Sequence, residues 1–182
     1  MNIDQADPAE LALLRSTFGT GAAPLGQEAV SAFEAQHGIV LPEPYRTCVA
    51  EISDGCEQGP PDFGLIPLAE LPRDWGAGRA ERQLALPFPL TEKWIWDTDE
   101  DLDPDEGVPS SVFDHGSIVL GTDGCGMYWH LIVTGPQRGH VWWISGEGAY
   151  SFSGDGSSRD GSSGDGSGFA AWVKHWADGK PW

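Results

Sequence analysis

The chain has 182 residues, of which 40% are hydrophobic and nine are Trp, enough for one domain with a buried core. Ten Lys and Arg stand against 28 Asp and Glu, a net charge of −18 that repels nucleic acid and anionic membranes and attracts cationic partners. There is no apolar run of about 18 residues to span a membrane, and the acidic start MNIDQADPAELALLR lacks the basic region and apolar core of a secretory signal, so the cytoplasm is the expected location.

The first predicted element is a helix over 8–18, where Leu11, Leu14 and Phe18 share one face and Asp7 is placed to cap the first turn. A glycine-containing turn at 19–26 leads to a second helix at 27–37, and Leu41-Pro42 closes that segment. A third helix is expected over 43–53. Pro44 suits its first turn because the missing N–H would be unpaired there anyway, and Tyr45, Cys48, Val49 and Ile52 fall at i, i+3, i+4 and i+7. Gly55 stops it, since glycine takes a left-handed conformation at little cost. Residues 63–68 read as a short strand whose proline confines it to an edge or an end.

A strand at 88–96 follows, with Leu90, Trp94 and Trp96 alternating onto one side. The next ten positions, 97–106, hold seven carboxylates: Asp97, Asp99, Glu100, Asp101, Asp103, Asp105 and Glu106. Charge this dense cannot bury itself and is read as a solvated loop. Residues 117–120 and 127–134 read as a hairpin across a glycine-rich turn. In the second strand Met127, Trp129, Leu131 and Val133 form a continuous apolar face, while Tyr128, His130, Ile132 and Thr134 are mixed. That pattern predicts one buried and one partly exposed sheet face. After a turn at 135–139, residues 140–145 pair back. The run 153–168, SGDGSSRDGSSGDGSG, reads as a flexible loop. A closing helix at 169–177 places Phe169, Trp172, Val173 and Trp176 on one face, and Gly179-Lys-Pro ends it.

Catalytic patterns are absent: no G-x-S-x-G elbow, G-x-G-x-x-G turn, Walker loop or H-E-x-x-H occurs. Three cysteines without C-x-x-C spacing argue against a zinc ribbon or a disulfide framework. Cys125 and His130 flank the hairpin turn, but a thiol nucleophile also needs a positioned base and an oxyanion site, so the expected roles are a turn cysteine and a sheet-face histidine. Asp97, Asp99 and Asp101 alternate as in an EF-hand loop, yet Leu102 stands where the glycine belongs and Val108 where the closing glutamate belongs. The Asp-Gly repeats at 155, 160 and 165 lack the nine-residue period of calcium-binding β-rolls. The expectation is therefore a non-enzyme with no cofactor and no metal site. Trp94 and Trp96 beside the seven carboxylates have the composition of a binding hot spot with a steering rim. Their spacing of two equally suits two rings on the buried face of a strand.

The ordered series is more specific than any one of its parts. A helix, L-P at 41–42, a helix with Tyr45 near its start, D-G at 54–55 and a strand reading G-L-x-P-L at 64–68 resemble the signature of the SUKH superfamily. That superfamily includes bacterial immunity proteins against polymorphic toxins and fungal cell-wall regulators. The helix before it, the hairpin at 116–135, the G-x-V-W strand from Gly139 and the helix at 169–177 are similar to the family's following elements, whereas the runs at 97–106 and 153–168 are not family hallmarks. The resemblance implies one α+β domain over 1–182, with a twisted, mainly antiparallel sheet packed against N-terminal helices and a C-terminal helix. It also implies a cytoplasmic immunity-type protein that neutralises a cognate toxin by stoichiometric binding. Charge makes the expected partner a basic protein, such as a nuclease toxin, and not nucleic acid or membrane. The expected contact residues are Trp94, Trp96, Asp97, Asp99, Glu100, Asp101, Asp103, Asp105 and Glu106. The alternative is a regulatory or adaptor protein of the same fold with no toxin partner.

Overall fold

The computed structural model describes residues 6–75, 81–95, 110–154 and 166–182. Helix α1, Pro8–Phe18, starts where expected: the Asp7 carboxylate accepts the Ala9 N–H at 2.7 Å, satisfying one of the donors a helix start leaves open. It buries Leu14 and Phe18. Helix α2, Gln27–His37, ends on Gly38 in the left-handed conformation, φ 66°, as glycine permits after a last turn. Its Glu34 is nearly buried and accepts the Leu41 N–H at 2.9 Å and Arg46 Nε and Nη2 at 2.9 and 3.1 Å. One carboxylate thus ties α2 to the Leu41-Pro42 turn and to the next helix.

That next helix is shorter and less regular than the predicted 43–53. An α-helical turn, α3 at Tyr45–Thr47, runs into a π-helical turn at Cys48–Ile52, and Pro44 stands before it rather than inside it. Ser53 is already extended, and its hydroxyl lies within hydrogen-bonding distance of two carbonyls, Ala22 O at 2.9 Å and Gly55 O at 2.7 Å. These local bonds compete with a further helical turn. The apolar face is nevertheless as read, with Tyr45, Cys48 and Val49 each at most 1% exposed. The predicted strand at 63–68 does not form. Cys56 and Leu65 make one antiparallel bridge, and Ile66 donates to Leu120 O at 2.9 Å. Pro67 has no N–H to continue the ladder.

Five strands form one antiparallel sheet in the order β1-β5-β4-β3-β2: β1 Trp94–Ile95, β2 Ser117–Gly124, β3 Met127–Ile132, β4 Val141–Ser145 and β5 Gly148–Ser151. Of the strand predicted over 88–96, the described residues contribute only Trp94 and Ile95; residue 96 lies outside them. β2 continues four residues past 120, and β5 appears where weak strand formers gave no signal. A Cβ on Gly148 would stand 2.7 Å from Trp94 O, so glycine is what lets β1 approach closely enough to pair there.

Helices lie over one face of the sheet. α1, α2, α3 and the closing helix α5, Phe169–Ala177, pack on Ile118, Leu120, Trp129, Leu131 and Val141. Phe169 stacks on Phe18 at 6.2 Å and meets Tyr45 edge-on at 5.0 Å. The other face was expected to be partly exposed and is not. Tyr128, His130 and Ile132 are each at most 1% exposed, beneath Phe88, Phe113 and Trp75. A short helix at Ser110–Asp114, α4, supplies much of that cover. Mixed polarity on alternate residues therefore marked a second core layer, with the Tyr128 hydroxyl and His130 Nδ1 each given a hydrogen-bond partner as burial demands. On α5, His175 is buried while Trp176 is only partly so. The result is a single-domain α+β fold with N-terminal helices and a C-terminal helix.

Candidate interaction surface

Trp94 sits on the two-residue edge strand, opposite Ala149. Ala149 belongs to the core on the face away from α1 and α5, so the Trp94 ring points to that face and is partly buried. Its neighbour Ile95 points the other way and is 61% exposed. Trp96, Asp97, Asp99, Glu100, Asp101, Asp103, Asp105 and Glu106 lie outside the described residues, as do 155–165 of the Gly/Ser/Asp run.

His130 is a core residue. Its Nδ1 pairs with Ser117 Oγ at 2.9 Å, and its ring packs among Trp75, Phe113 and Tyr128. Cys125 is exposed in the turn at φ 53°. Three strand positions separate Met127 from His130, about 10 Å, with the turn beyond Met127, so the two side chains are not brought together. Among the described residues no group of three or more His, Cys, Asp or Glu is placed to hold a metal.

Two surface features have no signal in the linear sequence. The first is a cleft of about 570 Å³ where the Cys56–Leu65 bridge meets the end of α1, lined by Thr20, Gly21, Asp54, Glu57 and Glu70 among others. The Asp54 carboxylate accepts the Leu68 N–H at 2.8 Å. Burial, with some help from Glu70, pushes its pKa above the ordinary 3.8. Folding gathers these carboxylates because the bridge folds 54–57 back on 65–70.

The second is a row of rings across the sheet. β-pairing sets Trp129 opposite Trp143 and Trp143 opposite Tyr150. At its β2 end, Asp123 accepts the Trp129 indole N–H at 2.8 Å. Desolvation raises the Asp123 pKa, and the indole bond opposes that shift. The alternation in β3 was visible, but the register that aligns these rings is set by the β3–β4 and β4–β5 pairings, and two irregularities in β2, between Val119 and Gly121 and between Thr122 and Gly124, set where Asp123 falls against β3.

The order of elements from α2 through β5 coincides with the span of a known family: the model of the SMI1 / KNR4 family (SUKH-1) matches residues 24–160. No curated protein and no solved structure matches the chain. The matched span holds Tyr45 and its helix, the Cys56–Leu65 bridge and all five strands. With most of its length so matched, the chain belongs to the SMI1 / KNR4 family (SUKH-1).

Proposed function

We propose that the protein is an immunity-type binding module that neutralises a cognate toxin by occupying it one to one. The observation that carries this reading is membership of the SUKH-1 family over 24–160, together with a net charge of −18. A strongly anionic protein is suited to a toxin whose own cleft is basic, as in an enzyme that cleaves nucleic acid. The proposed contact segment is Trp94, Trp96 and the carboxylates Asp97, Asp99, Glu100, Asp101, Asp103, Asp105 and Glu106. The carboxylates steer the encounter and the rings hold the complex.

The test is kinetic, with the product of a toxin gene adjacent to this one as the partner. Steering by seven carboxylates raises association above the neutral range of about 10⁵–10⁶ M⁻¹s⁻¹ at low salt. The gain fades as the Debye length falls to about 8 Å near physiological ionic strength. Replacing Asp97, Asp99, Asp101, Asp103 and Asp105 by Asn slows association and flattens its salt dependence, with little change in dissociation. Trp94→Ala or Trp96→Ala speeds dissociation. Unchanged association after all five replacements removes the segment from the interface. A chain that leaves the adjacent toxin active at any molar ratio is instead a regulatory adaptor of the same fold.

A further inference from the structure

Among the described residues, the helix-bearing face of the sheet is not covered to its end. α5 and the C-terminal residue close over the Trp129 end of the aromatic row: Trp172 lies 5.7 Å and Trp182 4.7 Å from the Trp129 ring. Beyond them Trp143 and Tyr150 stack at 4.9 Å with 25° between their planes, and both keep part of their surface in solvent. Trp143 packs against the core on its inner side, so the pair forms a fixed shelf. Asp123 flanks the shelf, oriented by the Trp129 indole. Asp62 is exposed beside it, and the ring of Phe63, 68% exposed, stands against the backbone of Gly124.

Among the described residues, the charges that bear on this corner are all of one sign. Asp62 acts on Asp123, and Asp123 acts on the Tyr150 hydroxyl. A half-buried carboxylate with no cation beside it among the described residues, next to the partly exposed faces of two stacked rings, complements a planar cation. Guanidinium fits best. It stacks on aromatic faces, donates to carboxylates in the same plane, and is less strongly hydrated than an ammonium group. A neutral sugar ring also lies flat on aromatic rings, but the carboxylate pair gives it no charge to answer.

We propose that the corner formed by Asp123, Trp143 and Tyr150 is a docking site for an arginine side chain presented by a basic protein partner. This rests on the reading of the chain as a binder of a basic protein, and adds contact residues other than Trp94 and 97–106.

The test uses the full ¹⁵N-labelled chain and the peptide acetyl-Gly-Arg-Gly-amide, with its citrulline counterpart as the neutral isostere. The indole N–H signals of Trp129 and Trp143, assigned through Trp→Phe variants, report the site. The arginine peptide is expected to shift both signals saturably and to bind about tenfold more tightly than the citrulline peptide. Asp123→Asn keeps an acceptor for the Trp129 indole but loses the charge, and lowers that affinity about tenfold. Tyr150→Leu lowers it similarly without touching the Trp129 hydrogen bond. Equal shifts with citrulline or with a neutral oligosaccharide overturn the proposal. So do shifts spread over the acidic surface with Trp143 unmoved. If these peptides fail while the chain still neutralises an adjacent toxin, the docking corner falls and the immunity reading stands. If the corner binds arginine and no toxin is neutralised, the reverse holds.

Discussion

Glu34 joins three segments, and Glu34→Ala tests how much that junction of α2 with Leu41 and Arg46 contributes to stability. The wild-type carboxylate takes one backbone donor, Leu41 N–H, and two guanidinium donors from Arg46 at 2.9 and 3.1 Å. A hydrogen bond to a charged group contributes about 1.5–3 kcal/mol net, so three such bonds set an upper limit well above any realistic loss. Two features lower it. The Arg46 side chain is 24% exposed, so water screens the pair and rehydrates the freed guanidinium. Arg46 also keeps Gln27 Oε1 at 2.9 Å. The Leu41 N–H has no such substitute, and stranding a buried donor costs about 1–3 kcal/mol. The expected destabilisation is therefore about 2–3 kcal/mol, or about 5–10 °C in melting temperature for a chain of this size. Glu34→Gln keeps an acceptor for Leu41 and costs about 1 kcal/mol. Urea unfolding followed by Trp fluorescence measures both, with Arg46→Ala and the double variant completing a cycle whose coupling is expected at about 1–2 kcal/mol. A loss below about 0.5 kcal/mol for Glu34→Ala, within the range of ordinary surface substitutions, or strict additivity in the cycle, refutes the reasoning.

Tyr45→Ala and Trp129→Ala each empty a site at most 2% exposed, and each should cost about 3 kcal/mol or more by the same unfolding assay; a neutral result at both would mean the rings do not carry the core. Gly121→Ala would put a Cβ 2.4 Å from Pro61 Cδ and 2.6 Å from Gly64 O, so it should cost about 1–3 kcal/mol, and tolerance would show that the 56–65 loop moves freely on β2. Deleting 155–166 should leave the melting temperature within a few degrees, because loop closure depends weakly on length; a larger drop would mean the run is packed. Because folding raises the Asp54 pKa above 3.8, the native state binds the proton more tightly than the unfolded chain, and stability is lost as pH rises from there through the folded value. Asp54→Asn removes that loss, so its stability relative to wild type should climb with pH across the window; a relative decline would reverse the assigned sign.

Short-range chemistry was legible in the linear chain. Asp7 capped α1, α2 ran over 27–37, and Tyr45, Cys48 and Val49 faced the core, because capping and helical periodicity act over a few residues. The series of elements was enough to suggest the SUKH resemblance that the family match bears out. Contacts between segments distant in sequence decided the rest. Residues 63–68 became a bridge to Cys56 lodged on Gly121 rather than a strand, and the even positions of β3 became a second core layer beneath α4 and Phe88. Gly148, a poor strand former, entered the sheet because β1 could approach only a residue without a side chain. Of the predicted contact residues, Trp94 is held by an edge pairing with β5, and Trp96 with the carboxylates of 97–106 lies outside the described residues. The row of Trp129, Trp143 and Tyr150, with Asp123 beside it, exists only once strand register is set, because register places residues far apart in sequence side by side.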